Sequence, residues 1–431
     1  MAVIILGGGL AGLSLAYSYG GESVILEKET RAGGLCRSFV LNGVPYDIGP
    51  HILFSKDKAA LERVTSKMET RTLRRSNRIY HKGRWIKYPF ENDLGSLDEE
   101  DRAYALEEFL HNPYEGYEAG NMLQFFLKTF GEGMTRLYLQ PYNEKIWKFD
   151  PAYMDTQMVE RIPKPPKEDI IKSAEGIPTE GYTHQLHFQY PVQGGIQQLP
   201  DAFAAGIRDK ARLVNPVEIR KIRREGEAWQ VETDQGTFKG RTLVNCMPLP
   251  ELFKVLDAPE EIQQAVDSLL YNSIHIMVVQ AKEDRIGDHF AINIADSEVL
   301  FHRISRLNFL GDGYCLKDGG TTLLIEVTYR PESYLAGLRR EEIERRVLGD
   351  LERLGFVRRQ DVRAVDFRSF RYAYVIYDLN HRRNADCVLD YLSTVGIRCA
   401  GRFAEFEYLN MDKVVGNSRR LAAELEGEPS A

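Results

Sequence analysis

An α/β fold is predicted by three observations. The chain begins with an apolar strand, a glycine-rich turn, a helix and a second strand that ends in an acid. Residues 57–184 then carry a mostly helical pattern. From 251 to 394 the sequence is strand-rich, and it closes on a strand, a glycine turn and a helix. Together these define a Rossmann-type nucleotide domain that is discontinuous in sequence (1–56, 185–250 and 395–431), an inserted helical domain (57–184) and an antiparallel-sheet substrate domain (251–394). A chain of 431 residues exceeds what one core usually supports, so several domains are expected.

The first element is the most explicit. Val3-Ile4-Ile5-Leu6 reads as a buried strand, Gly7 to Gly12 fits G-x-G-x-x-G, and Leu13 to Tyr19 continues as helix. Gly7 lets the chain reverse, Gly9 lets the backbone approach a pyrophosphate, and Gly12 lets helix and strand pack closely. The helix N-terminus offers unpaired N–H groups to the phosphates. Ser23–Leu26 is the second strand, and Glu27 after it would accept from ribose hydroxyls and repel a 2′-phosphate. A second glycine pair, Gly33-Gly34, follows Arg31 at the point where an NAD domain would run into a crossover helix.

Beyond this, Asn42-Gly43 predicts a type I′ hairpin turn, and Asp98–Leu110 and Asn121–Leu139 are the clearest helices. Lys164–Lys167 is a polar connector. Alternating residues between Arg212 and Val244 predict strands, and Arg241–Pro248 reads as a strand returning to the nucleotide. Glu260–Leu269 and Glu341–Leu354 read as helices. Gly396–Phe403 forms a strand entering a glycine turn, followed by the helix Asn410–Glu424.

Composition excludes several classes. A net charge of −7 with interspersed bases argues against nucleic acid binding. There is no uninterrupted apolar run of membrane-spanning length, so no span is expected. The five cysteines are scattered without C-x-x-C spacing, which argues against a disulfide framework and a zinc site and points to a cytoplasmic protein. No metal ligand set is found, and no G-x-S-x-G elbow suggests a serine hydrolase.

The glycine turn, the acid, the R-x-G-G segment and the closing Gly401-Arg402 resemble the FAD-dependent amine oxidases, protoporphyrinogen oxidases, phytoene desaturases and UDP-galactopyranose mutases. That resemblance implies FAD as cofactor, held by Gly7, Gly9, Gly12, Glu27, Arg31, Gly33, Gly34, Gly401 and Arg402. One branch matches along almost the whole chain. Gly49-Pro50-His51, Lys87–Asn92, Phe130–Gly133, Pro141–Trp147, Glu160-Arg161, Tyr271–Ser273, Phe301–Arg303 and Gly401–Phe403 with Tyr408 resemble the UDP-galactopyranose mutases, the eukaryotic type above all. The implied activity is interconversion of pyranose and furanose nucleotide-sugars without net redox, by attack of reduced-flavin N5 on the anomeric carbon. An external reductant such as NAD(P)H or a reductase would keep the flavin active.

Carried over by position, Arg161 and Arg303 would clamp the diphosphate, and a guanidinium suits that work because it binds phosphate oxygens bidentately and stays charged. His51, the candidate acid or base among the catalytic residues, would face the flavin. Tyr88, Glu91, Asn143, Trp147, Tyr374 and Tyr408 would line the substrate side. Glu91 departs from the family's glutamine, and because a carboxylate only accepts, it would suit the paired donors of guanine better than uracil. The alternative is an FAD-dependent oxidoreductase of the amine oxidase, protoporphyrinogen oxidase or desaturase type. A flavin-binding protein without catalysis is a third reading.

Overall fold

The computed structural model describes residues 2–162, 164–180, 186–207 and 209–427, with Glu160 and Arg161 described by backbone alone. Five short parallel strands form the nucleotide sheet, in the spatial order Ile397–Cys399, Thr242–Asn245, Val3–Leu6, Ser23–Leu26 and Ala211–Val214. All four residues of the first two strands in the sequence are buried, as expected of strands covered on both faces. The sheet draws on the beginning, the middle and the end of the chain. The helices Leu10–Ser18, Gln198–Gly206 and Met411–Gly427 pack together on one of its faces, where Leu13, Phe203 and Val414 share an apolar cluster.

The type I′ turn forms as expected: Asn42 and Gly43 have φ of 47° and 83°, and they join Ser38–Leu41 to Val44–Asp47. The helix Glu99–Leu110 starts at Asp98, whose carboxylate accepts from the Asp101 N–H at 2.9 Å, and three acids in its first turn favour the dipole. Asn121 caps the helix Met122–Met134 in the same way, accepting from Gln124 at 2.9 Å. Gly131 interrupts that helix at φ 75°. A Cβ there would lie 2.3 Å from the Glu108 carbonyl, and one at Gly133 would lie 2.7 Å from Ala105 Cα. The Phe130–Gly133 motif therefore permits two helices to cross closely. A turn of π-helix, Thr135–Leu139, leads directly into the helix Gln140–Trp147.

Part of the segment expected to be mostly helical is instead sheet. Thr70–Arg74 pairs with His187–Pro191, and the hairpin Asn77–His81 with Arg84–Lys87 forms one edge of a seven-stranded sheet. That sheet continues through Ala291–Ile294, Arg303–Arg306, Thr321–Tyr329 and Tyr271–Ala281 to Val362–Val375. It is antiparallel apart from the pairing of Asn77–His81 with Ala291–Ile294, which is parallel. The strands at 70–87 were hidden because they are rich in charged residues and because Thr70–Arg74 and the hairpin that follows it join their sheets through His187–Pro191 and Ala291–Ile294, more than a hundred residues away. The helix His381–Thr394, also not anticipated, joins this sheet to the last strand of the nucleotide sheet.

Candidate active site

The glycine turn is a cradle shaped by backbone contacts. Gly7 has φ 100°, and a Cβ on Gly12 would lie 2.1 Å from the Gly7 carbonyl, so neither position tolerates a side chain. Gly8 donates its N–H to Glu27 Oε2 at 2.7 Å, and Glu29 donates to Oε1 at 2.8 Å, which fixes the buried carboxylate beside the turn. The second glycine pair lies against the first: Gly33 N–H donates to the Gly8 carbonyl at 2.8 Å, and Gly34 faces Gly9. At Gly9 itself a Cβ would find nothing nearer than Gly34 Cα, at 3.8 Å. The turn is thus closed on its protein side and open at Gly9, where the first amides of a helix without a side-chain cap emerge. Gly401, with φ 116°, packs against Ala11 on the same helix, so the C-terminal glycine turn is part of the same structure.

The arginines divide differently from expectation. Arg31 is turned outward, with 57% of its side chain exposed, and pairs with Asp201 at 2.8 Å. Arg37 takes the bracing position instead: its Nε donates to the Gly34 carbonyl at 3.0 Å and its Nη1 pairs with Glu29 at 2.9 Å. Spacing within R-x-G-G cannot reveal which of two nearby arginines folds back.

Beyond the cradle lies a cavity of about 1470 Å³, larger than the few hundred Å³ a small ligand needs. His51, Tyr88, Asn143, Trp147, Arg303, Tyr374, Arg402 and Tyr408 all line it. Tyr374 and Tyr408 are stacked at 5.8 Å with planes 6° apart, and the Trp147 ring stands edge-on to both at 5.7 and 6.3 Å. The Arg402 guanidinium lies 4.7 Å from the Tyr408 ring centre and donates to the Leu409 carbonyl, which holds it at the wall. Tyr377 shares the cavity, whereas the Tyr372 hydroxyl turns away to Glu251.

Asn143 is occupied by its own helix: Nδ2 donates to the Leu139 carbonyl at 2.7 Å, and Oδ1 accepts from the Trp147 indole at 3.0 Å. Its structural effect is to orient that indole. His51 Nδ1 lies 3.0 Å from the Gly49 carbonyl, and only a protonated Nδ1 can donate there. Burial, with the positive charge of Arg402 beside it, pulls the imidazole pKa down to about 4. At neutral pH His51 is therefore uncharged, with Nε2 available as an acceptor, and it is not a general acid. The Gly49 backbone sits over Glu326: a Cβ there would lie 2.9 Å from Oε1.

Arg303 forks Glu326 with both Nε and Nη2, the latter at 2.7 Å, so the arginine that was expected to face phosphate is also paired within the protein. Glu326 escaped sequence reasoning, although a lone acid inside the otherwise uncharged strand Thr321–Tyr329 is a visible signal. The side chain of Arg161 lies outside the described residues. Glu91 does not line the cavity. It is 2% exposed in the short helical turn Phe90–Asn92, and its Oε1 has no partner among the described residues. Burial pushes its pKa up to about 7. The carboxylate is thereby withheld from a ligand in the cavity, which removes the basis for choosing guanine over uracil.

A smaller pocket of about 480 Å³ adjoins at Arg75, Asn77 and Tyr88, and it is lined also by Arg74, Arg78 and Lys87. Among the described residues there is no cluster of three or more potential metal ligands, and no helix is long and apolar enough to cross a membrane.

A parallel nucleotide sheet with this cradle, joined to a large sheet across a cavity, defines a dinucleotide-dependent enzyme with a separate substrate side. The profile of the family "Flavin containing amine oxidoreductase" matches residues 10–386, and the chain belongs to that family. Its cofactor is FAD, and the open Gly9, the buried Glu27 and the free helix amides form a site that fits it.

The chain superposes on reduced UDP-galactopyranose mutase with a TM-score of 0.89 at 20% identity, covering 100% of this chain and 96% of that one. An Exiguobacterium sp. 255-15 protein assigned as a protoporphyrinogen oxidase gives 0.78 at 16% identity, covering 99% and 98%. Cyclohexylamine oxidase from Brevibacterium oxydans IH-35A gives 0.66 at 15%, covering 99% of each. A curated relative, an uncharacterized protein in the nifH2 3′ region of Methanothermococcus thermolithotrophicus, is 35% identical over 66 residues. Those residues are 15% of this chain and span 65% of the relative's length.

Proposed function

We propose that this enzyme is a nucleotide-sugar mutase that interconverts pyranose and furanose forms without net redox, acting with reduced FAD. The observation that carries the reading is the charge of the cavity wall. Lys56, Arg75, Lys164, Arg303, Arg402 and Lys413 line it against Asp57, Glu407 and Asp412, and even with Arg303 paired to the buried Glu326 the cations are in excess. A diphosphate ester finds counter-charge there, whereas a protonated amine would be repelled by the excess of cations. The likeness to reduced UDP-galactopyranose mutase over the whole chain supports the same reading.

When bound and reduced, FAD would supply the nucleophile for the anomeric carbon. The protein's residues orient the substrate and receive the charge of the leaving diphosphate. Arg303, fixed by Glu326, has Nη1 left for a phosphate oxygen, and Arg402 is held beside the tyrosine pair. The Tyr374 and Tyr408 rings with Trp147 form an aromatic wall against which a base or sugar face can stack. His51, neutral and with its Nδ1 proton engaged, offers Nε2 as an acceptor. Loss of one such charged donor typically costs a hundredfold or more in rate. NAD(P)H or a reductase would supply electrons once, to prime the flavin.

The test is anaerobic incubation of dithionite-reduced protein with UDP- and GDP-sugars, followed by chromatography for furanose product. Conversion without consumption of reductant is the expected outcome. An oxidase would instead bleach on adding an amine to oxidised protein and recover colour with oxygen, and that behaviour without sugar conversion would replace this proposal.

A further inference from the structure

The carboxamide of Asn272 has no exposed surface and sits near the start of the strand Tyr271–Ala281, between two members of the aromatic wall. Its Nδ2 donates to the carbonyls of Ile146 at 3.0 Å and Trp147 at 2.6 Å. Across the sheet its register partner is Tyr374. The pairing is irregular at this point, because Asn272 faces Tyr374 while Ile274 faces Phe370, and the extra residues bulge the strand beside Tyr374. Two acceptor carbonyls determine which end of the amide meets them, since an oxygen in that place would be repelled by both. Oδ1 is left buried and without a partner among the described residues.

The carbonyls that Asn272 engages end the helix Gln140–Trp147 and have no acceptor role left within it. The chain leaves the helix through Lys148 in the left-handed region, at φ 50°. A third terminal carbonyl, that of Lys145, accepts from Thr328 Oγ1 at 3.2 Å. Trp147 is thus fixed twice: its ring by Asn143 and its backbone by Asn272. One buried side chain joins the helix that carries the indole to the strand paired with the one that carries Tyr374.

We propose that Asn272 is a positioning residue that sets Trp147 against Tyr374 and Tyr408, and so shapes the wall on which the nucleotide rests; the nucleotide part depends on the function proposed above. Removing Nδ2 leaves two buried carbonyls unpaired and frees the helix end to move away from the sheet.

The chain has three tryptophans, so replacing Trp85 and Trp229 by Phe leaves Trp147 as the sole indole reporter in the FAD-loaded protein. In that background Asn272→Ala should red-shift Trp147 emission and at least double its quenching by acrylamide, with flavin content retained. UDP titration should show about tenfold weaker binding. Asn272→Ser keeps one donor and should fall between, and it carries the test if the alanine variant does not fold. Unchanged Trp147 emission in a folded variant overturns the positioning role. Altered emission with unchanged UDP affinity supports that role and counts against the nucleotide reading of the wall.

Discussion

Arg303 and Glu326 are register partners on adjacent antiparallel strands, and the guanidinium grips the carboxylate through two nitrogens. The carboxylate has no exposed surface, whereas 24% of the arginine side chain reaches solvent. Deleting the arginine alone therefore strands a buried charge. Arg303→Ala should lower stability by roughly 3–5 kcal/mol. Pairing Arg303→Met with Glu326→Gln should recover most of that loss while leaving turnover low. Thermal unfolding of the FAD-loaded variants compares them, and equal instability of single and double variants would locate the damage elsewhere.

Gly9 faces open space where Gly7 and Gly12 face backbone and Gly8 faces the Glu27 side chain. A valine there fits the protein but fills the place of the pyrophosphate. Gly9→Val should fold, as judged by circular dichroism, and emerge colourless. Full flavin absorbance would refute the cradle.

Two arginines near the second glycine pair should separate cleanly. Arg31 makes an exposed ion pair, worth about 0–1 kcal/mol, so Arg31→Ala should leave FAD affinity unchanged. Arg37 ties Gly34 to Glu29 and is mostly buried. Arg37→Ala should weaken FAD binding about tenfold, or about 1.4 kcal/mol, measured by the fluorescence of released flavin. The opposite order would restore Arg31 to the site.

Glu91 makes stability depend on pH. Its folded pKa of about 7 stands above the ordinary 4.5 because burial disfavours the charge. The folded state therefore holds the proton more tightly than the unfolded chain. The contribution is fully present below pH 4.5 and is lost as pH rises through 7. Glu91→Gln removes this dependence and should be the more stable form at pH 8, by up to about 3 kcal/mol, with a much smaller difference at pH 5. Unfolding midpoints at the two pH values decide it, and parallel curves would mean that Glu91 is not buried in solution.

The cradle was legible because its chemistry is local. Val3 to Glu27 form a strand, turn, helix and strand within 25 residues, and Asn42-Gly43 states its turn type in two. His51, Tyr88, Trp147, Tyr374, Tyr408 and Arg402 were placed by resemblance, and they meet in one cavity. What could not be read depends on partners distant in sequence. Glu326 belongs to the site only through its register with Arg303, and Asn272 only through the end of a helix more than a hundred residues earlier. Glu91 was misplaced for the same reason: Tyr88 three residues earlier reaches the cavity wall, but in the turn Phe90–Asn92 all three residues are buried.

The strand order of the nucleotide sheet bears on biosynthesis. The glycine turn is made before the rest of this sheet, yet Thr242–Asn245 is flanked on its far side by Ile397–Cys399, and the residue packed on Ala11 is Gly401. A nascent chain therefore carries the recognisable half of its flavin site for most of translation without the other half. The cradle is completed only after the substrate half has been made, so a chain interrupted before Ile397 would present the glycine turn without the last strand of its sheet and without the Gly401 contact.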